Sequence, residues 1–363
     1  MFVAKEKQTP QDWQAIGHFM AEYGLPIDSD IEIRQFTSGM ANLNYLLQLT
    51  DGRQVVMRRP PEGPLPPGAY DLPREFSIYE KLGKTLPFVP EGLLLCEDTA
   101  IIGVPFFIVE YCAGTALHKH SIPEALTAQP MIGDRLCRLL IESLVELHRL
   151  KPKAIGLDNL GHPDGFIARQ IRGWRKRGTR ALTPEQIPRM EKLCHWLAEQ
   201  APPGQPPTLV HHDYKLDNIL IDLDRLEISA IIDWEMATIG DPLFDLALTL
   251  SVWGEPNDQY IYKTLSMMPC HLEGWWSRQK ALETYQTLAG IEISENQWKF
   301  YWVLAMLRMG VVFGQLDRLY KEQPYMKNKA NPNFHISADE FSPLATKILS
   351  QGEKLLTQER IDF

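Results

Sequence analysis

Between Ile31 and Tyr111 the apolar residues fall into short extended runs. After Gly114 they recur at the three- and four-residue spacing of a helix face. Ahead of both, Thr9 and Pro10 read as a helix start, a capping hydroxyl followed by a proline in the first turn. Trp13, Ile16, Phe19 and Met20 form the stripe of that helix, which stops at Gly24. Strands are expected over 31–36, 43–50 and 54–59, the last two joined by an Asp51-Gly52 two-residue turn. A proline-rich loop, 60–67, leads to a helix carrying Arg74, Glu75 and Phe76. Strands near 93–96 and 106–111 complete a small antiparallel sheet.

The second pattern begins with 134–150, where Leu136, Leu139, Leu140, Leu144 and Leu147 share a face. Further helices are expected from Phe166, Pro184, Asp241, Gly274, Glu295 and Ala338. The only strands expected here are 218–221 and 228–232, a hairpin about the polar stretch 222–227. The fold class is therefore α+β in two parts: a sheet-based domain over 1–112 and a mainly helical one over 113–363.

Composition narrows the class. The 363 residues are 44% hydrophobic and 23% charged, with a formal net charge of -9. Such a chain resembles ordinary globular proteins and has no general affinity for nucleic acid or an anionic membrane. Its five cysteines contain no C-x-x-C pair, so reduced thiols are expected and a zinc site is not. No apolar run is long enough to span a bilayer, and the N-terminus lacks a signal-peptide core. A cytoplasmic protein is expected.

The chemistry lies in the hairpin. His211 to Asn218 reads H-x-D-x-x-x-x-N, and Asp233 follows the second strand twenty residues after Asp213. Phosphoryl transfer requires a base to orient the attacking hydroxyl and metal ions to neutralise charge. Asp213 fits the first role. Asn218 and Asp233 fit the second, as hard oxygen ligands for Mg²⁺. The loop 36–42, with Ser38, Gly39 and Asn42, is placed to cover nucleotide phosphates with backbone N–H groups. On the strand 54–59, Arg58 shares a face with Val56 and is expected to reach phosphate and Glu75, while Arg59 reads as a solvated edge-strand residue. Glu110 to Cys112 ends the last strand of the sheet, where backbone groups would meet adenine. Asp241 reads as an N-cap, and Asp245, on an apolar face, needs partners that the catalytic-loop backbone would supply. Their roles, with that of His211, are structural.

Arg169, Arg172, Lys176 and Arg180 share one face of a helix and could hold an anionic acceptor; a solvated basic face is the plainer reading. LVHHDYKLDNILID, AIIDWE and GDPLFDLA together resemble the aminoglycoside phosphotransferase and choline kinase superfamily. VVMRRPPEGPLPPGAYDLPREF, the DWE triplet and RQIRGW are similar to its branch fused to acyl-CoA dehydrogenases. The resemblance implies a two-lobe protein-kinase-like fold, ATP and Mg²⁺ as cofactors, and a small-molecule hydroxyl as acceptor, with a hydroxyacyl-CoA thioester the first choice. An aminoglycoside or other small-alcohol kinase is an alternative, as is a nucleotide-binding pseudokinase acting as a regulatory module. A regulated protein kinase is disfavoured, because seven residues separate Asp233 from Asp241 and no Ala-Pro-Glu motif follows.

Overall fold

The computed structural model describes residues 2–37, 42–61, 70–119, 122–127, 129, 131–323, 336–358 and 361. The chain forms two compact units. One is Met1–Gly114 with Ile155–Leu157 and Ile228–Glu235; the other is Thr115–Ala154 with Asp158–Glu227 and Met236–Phe363.

The first unit contains α1 (Trp13–Glu22), β1 (Arg34–Gln35), β2 (Leu43–Gln48), β3 (Gln54–Arg59), α2 (Leu72–Leu82), β4 (Gly92–Cys96), α3 (Thr99–Ile102) and β5 (Phe106–Glu110). The strands form one antiparallel sheet in the order β1-β2-β3-β5-β4. Strand alternation sorts β3 between two faces. Val55 and Met57 pack with Ile16 and Met20 of α1 and with Tyr45, Leu47 and Ile108. On the other side α2 buries Ile78, Tyr79 and Leu82, and its Phe76 and Tyr79 rings lie 5.9 and 5.7 Å from Phe107. Arg58 points to this side.

Four local expectations change. The cap of α1 is Asp12, which accepts from Ala15 N–H, so Thr9 and Pro10 precede the helix. Of the expected 31–36 strand, Arg34 and Gln35 pair with β2 and Phe36 N–H donates to Asn44 O, while Asp28 to Ile31 close a turn instead. The β2–β3 loop is longer than two residues. Gly52 N–H donates to Leu49 O and Leu49 N–H to Arg53 O, with Gly52 at φ 86°, so the extra residue is absorbed by the left-handed glycine. Arg59 is not a solvated edge residue: β3 is central, and Arg59 is buried, donating to Gln11 Oε1 and Pro60 O.

The second unit runs β6 (Thr115–Ala116), α4 (Glu124–Thr127), α5 (Ile132–Arg149), α6 (Phe166–Ala181), α7 (Ile187–Glu199), β7 (Thr208–Val210) and β8 (Ile219–Asp222). After β9 (Glu227–Ile231) come β10 (Thr238–Gly240), α8 (Pro242–Ser251), α9 (Tyr260–Leu265), α10 (Arg278–Ala289), α11 (Glu295–Glu322) and α12 (Phe341–Leu355). The unit boundary falls inside β9, so Asp233 belongs with the sheet and Asp213 with the helices. Every residue of α8 is buried, and α11 packs against α12, α8 and α6. The hairpin strands are not alone here, as β6 pairs with β8 and β7 with β10. These strands are two or three residues long, too short for alternation to show. Helix α7 starts at Ile187 rather than Pro184. Helix α10 starts at Arg278, capped by Ser277, because Gly274 adopts φ 81°.

Candidate active-site residues

In the strand-rich unit, one guanidinium meets three carboxylates. Arg58 Nε lies 3.2 Å from Glu75 Oε1, and Arg58 Nη2 lies 2.8 Å from Asp233 Oδ1 and 3.5 Å from Glu235 Oε2. The side chain of Arg58 is 12% exposed and that of Glu75 is 4% exposed. Burial opposes the Arg58 charge, but Glu75 and Asp233 outweigh it and hold its pKa above the ordinary value. Burial also pushes the Glu75 carboxyl up to about 7, against the pull of Arg58. Asp233 adopts φ 69°, uncommon without glycine, and its N–H donates to Tyr79 Oη at 3.2 Å. Three acids around Arg58, with Arg74 nearby, leave an excess of negative charge. Hard oxygens with that excess suit a divalent cation such as Mg²⁺.

The other nucleotide candidates vary in placement. Asn42 is buried and donates from Nδ2 to Glu235 Oε2 at 3.3 Å. Ser38 and Gly39 lie outside the described residues. Glu110 is exposed at the end of β5. The N–H groups of Glu110 and Tyr111 already donate to Glu91 O and Gln54 O, so Cys112 has the free amide among the three described residues. Its thiol is half-buried, and burial pushes it up to about 12.

In the helical unit, the loop after β7 is held from both sides. Asp245, fully buried in α8, accepts from His211 N–H and His212 N–H, each at 2.7 Å. His212 sits at φ 66°, and its carbonyl accepts from Arg308 Nη2 at 2.7 Å. Fixing both peptide groups is what makes a left-handed histidine tolerable. His148 Nε2 lies 3.1 Å from Asp245 Oδ2, and its Nδ1 lies 2.7 Å from Tyr285 Oη. Burial would raise the Asp245 carboxyl, but the hydrogen bond and charge of His148 hold it below the usual range. His211 is fully buried, and its Nδ1 accepts from Asp213 N–H at 3.2 Å. Asp241 caps α8 through Leu243 N–H and also accepts from Gln205 N–H and Tyr301 Oη.

The loop so fixed presents Asp213. Lys215 Nζ donates to both its carboxylate oxygens at 2.9 Å, and Asn218 Nδ2 donates to its Oδ2 at 2.8 Å. Burial opposes the charge, yet Lys215 keeps Asp213 below its ordinary pKa and ionised. An ionised carboxylate can accept and orient a hydroxyl proton. Asn218 also donates to Asp213 O at 2.9 Å, so both amide bonds go to Asp213 and its oxygen remains for a cation. Neighbouring Asp217 is pushed up, by burial first and by Asp213. Lys215, His148 and Glu235 were not singled out from sequence. Lys215 could have been, two residues from Asp213, whereas His148 lies 97 residues from Asp245.

Helix α6 carries the predicted basic face. Arg172, Lys176 and Arg180 are exposed, while Arg169 folds back to donate to Asp164 O. Arg172 lines a cavity of about 530 Å³, shared with Phe166, Ile171, Pro202, Gly204 and Asp241. No group of three or more His, Cys, Asp or Glu side chains among the described residues forms a metal cluster by itself.

A family model described as "Phosphotransferase enzyme family" matches residues 32–276. Acyl-CoA dehydrogenase family member 10 of Mus musculus is 33% identical over 320 residues, covering 88% of this chain but 29% of that protein. The chain thus spans less than a third of that relative. A Ralstonia eutropha protein named for the aminoglycoside phosphotransferases has a similar solved structure, with TM-score 0.76, 22% identity, and coverage of 96% and 98% of the two chains. Choline kinase from Cryptosporidium parvum gives TM-score 0.61 at 13% identity, covering 95% of each chain. At these identities the structures establish the fold, a mixed α/β kinase-like one.

Proposed function

The chain belongs to the phosphotransferase enzyme family and is an ATP-dependent phosphotransferase; from that premise we propose that it phosphorylates a hydroxyl of a hydroxyacyl-CoA. The carrying observation is the state of Asp213, ionised by Lys215 and fixed on a loop that Asp245 and Arg308 hold. In this reading Asp213 orients the acceptor hydroxyl, whose oxygen attacks the γ-phosphorus of ATP. The bond to the β-phosphate oxygen breaks, ADP leaves, and the hydroxyl proton passes to Asp213. Asn218 and Asp233 would hold Mg²⁺, which neutralises charge on the phosphates. Arg58, oriented by Glu75, would pair with phosphate oxygens, with Ser38, Gly39 and Asn42 covering them and the Glu110–Cys112 backbone meeting adenine.

Two observations support the acceptor class. The mouse relative is named for acyl-CoA chemistry, and α6 presents Arg172, Lys176 and Arg180, with Arg169 turned back to Asp164 O, in an acidic protein. A basic helix suits CoA phosphates and repels a cationic drug. The five free thiols suit a reducing cytoplasm. The test is ADP release from Mg·ATP with a panel of hydroxyacyl-CoAs, hydroxy acids, choline and aminoglycosides. Acceptor-dependent release with hydroxyacyl-CoAs alone is expected. Release with choline or an aminoglycoside instead would replace this acceptor, and release with none would favour a regulatory pseudokinase.

A further inference from the structure

Where α6 meets α11, a second set of cations gathers that the predicted basic face does not include. Trp174 is 5% exposed. Arg177 Cζ lies 3.7 Å from its ring centroid and Arg308 Cζ lies 5.4 Å from it. Among the described residues neither guanidinium forms an ion pair within 4 Å, whereas Arg175, on the same helix, pairs with Glu191 at 2.7 Å. Arg308 is 8% exposed and gives Nη2 to His212 O, but its buried Nη1 has no hydrogen-bond partner. His212 is 5% exposed, and its buried Nε2 also has none. Phe166 and Phe244 flank the imidazole at 5.8 and 5.4 Å.

Native interiors rarely leave such groups unpaired, and an exception calls for an explanation. A buried cation is unfavourable unless it is paired and hydrogen-bonded. Consistent with this, burial lowers the pKa of Arg308 to about 10, with Asp213 and Asp245 opposing and Arg177 adding to the fall. Burial lowers Arg177 as well, and it holds His212 at about 3, hence neutral. Arg177 and Arg308 thus share the Trp174 ring, and Arg308 is tied to the His212 backbone. Buried nitrogens of Arg308 and His212 lack a partner beside an aromatic wall, with Asp213 the next residue after His212. An oxygen bearing negative charge would satisfy all three as an acceptor.

We propose that Arg177, Arg308 and His212 Nε2 form a subsite for an acyl oxygen of the acceptor, a carboxylate or thioester carbonyl within a few bonds of the hydroxyl that Asp213 orients. The inference rests on the phosphotransferase reading only for that neighbouring hydroxyl. It makes the acyl end, rather than a distant phosphate, the feature read next to the reacting oxygen. Arg177, an exposed residue, is the part an entering ligand meets first. The Phe166 ring, 5.8 Å from the His212 ring, also lines the 530 Å³ cavity and so offers an apolar chain a wall.

The test is calorimetric binding without ATP, and so is independent of turnover. The probes are straight-chain 2-, 3- and 4-hydroxy acids of four to ten carbons, each as free acid, CoA thioester and matching diol. Wild type is expected to bind an acid or its thioester at least about tenfold more tightly than the diol, since charge-assisted contacts are the strong ones. Arg177→Gln, which leaves the loop hydrogen bonds intact, should remove that preference. Arg308→Lys, checked for folding by thermal melt, should reduce it. Preference for the free acid identifies a carboxylate, and preference for the thioester a carbonyl. Equal binding of diols, no binding of any probe, or an unchanged preference in Arg177→Gln overturns the proposal. Failure of the phosphotransferase reading would appear elsewhere, as no acceptor-dependent release of ADP by the wild-type protein.

Discussion

The two acid-rich clusters solve opposite electrostatic problems. In the strand-rich unit, Arg58 is outnumbered by Glu75, Asp233 and Glu235, and one of those carboxyls is driven up toward neutral pH. In the helical unit, Asp213 and Asp245 are each matched by cationic or hydrogen-bond donors and held below the ordinary carboxylate range. The first is short of positive charge and suits a site completed by a metal ion. The second is already satisfied and suits a base that must be ionised and stay in place. Excess charge reads as binding, and compensated charge reads as positioning.

Asp233→Asn should show the largest effect. It removes the carboxylate proposed to hold Mg²⁺ from a cluster where acids outnumber cations, so turnover should fall by about a thousandfold or more, as expected when a metal's charge neutralisation is lost. Steady-state ADP release measures it. Near-normal turnover would place the metal elsewhere.

Asp213→Ala comes next, with turnover reduced by about a hundredfold or more, the usual weight of a general base. Its KM for ATP should stay within about twofold, because only transition-state stabilisation is removed. A parallel rise in that KM would break the division between the clusters.

Asp245→Asn tests positioning. An amide cannot accept both His211 and His212 N–H groups, so one donor is left buried and opposed. A stability loss of about 3 kcal/mol is expected, in the range for a broken buried charge network, read by urea denaturation. A loss below about 0.5 kcal/mol, the scale of a neutral surface change, would mean that the loop is held by other contacts.

The smallest effect is a pH dependence. The Glu75 carboxyl is raised in the folded state from 4.5 to about 7, by burial against Arg58 and with Asp233, Glu235 and Arg74 nearby. The folded state therefore binds the proton more tightly than the unfolded one, and this contribution to stability is lost as pH rises from about 4.5 to 7. Thermal melts of Glu75→Gln should fall less steeply than those of wild type across that window. Parallel curves would show that Glu75 titrates normally.

The same contrast explains what the sequence disclosed. Alternation in β3 placed Arg58 opposite Met57 and on the side of Glu75, because a central strand enforces period two. The H-x-D-x-x-x-x-N spacing singled out Asp213 and Asn218, which prove to be directly hydrogen-bonded. Arg59 was misread because its partners, Gln11 and Pro60, give no period. The His148–Asp245 contact and the Arg177–Trp174–Arg308 group arise from helix packing across long separations, which local pattern does not encode. On α6, the shared helix face singles out Arg169, Arg172, Lys176 and Arg180, while Arg177, off that face, stacks on Trp174 three residues away.

In the proposed division of labour, Asp233 serves the metal nucleotide and Asp213 serves the acceptor. Calorimetric titration of Mg²⁺ with a non-hydrolysable ATP analogue into Asp233→Asn and Asp213→Ala tests it most directly. Wild-type affinity is expected in Asp213→Ala and a loss of about tenfold or more in Asp233→Asn, the effect of removing one charged ligand. Weakened binding in Asp213→Ala with wild-type affinity in Asp233→Asn would contradict it.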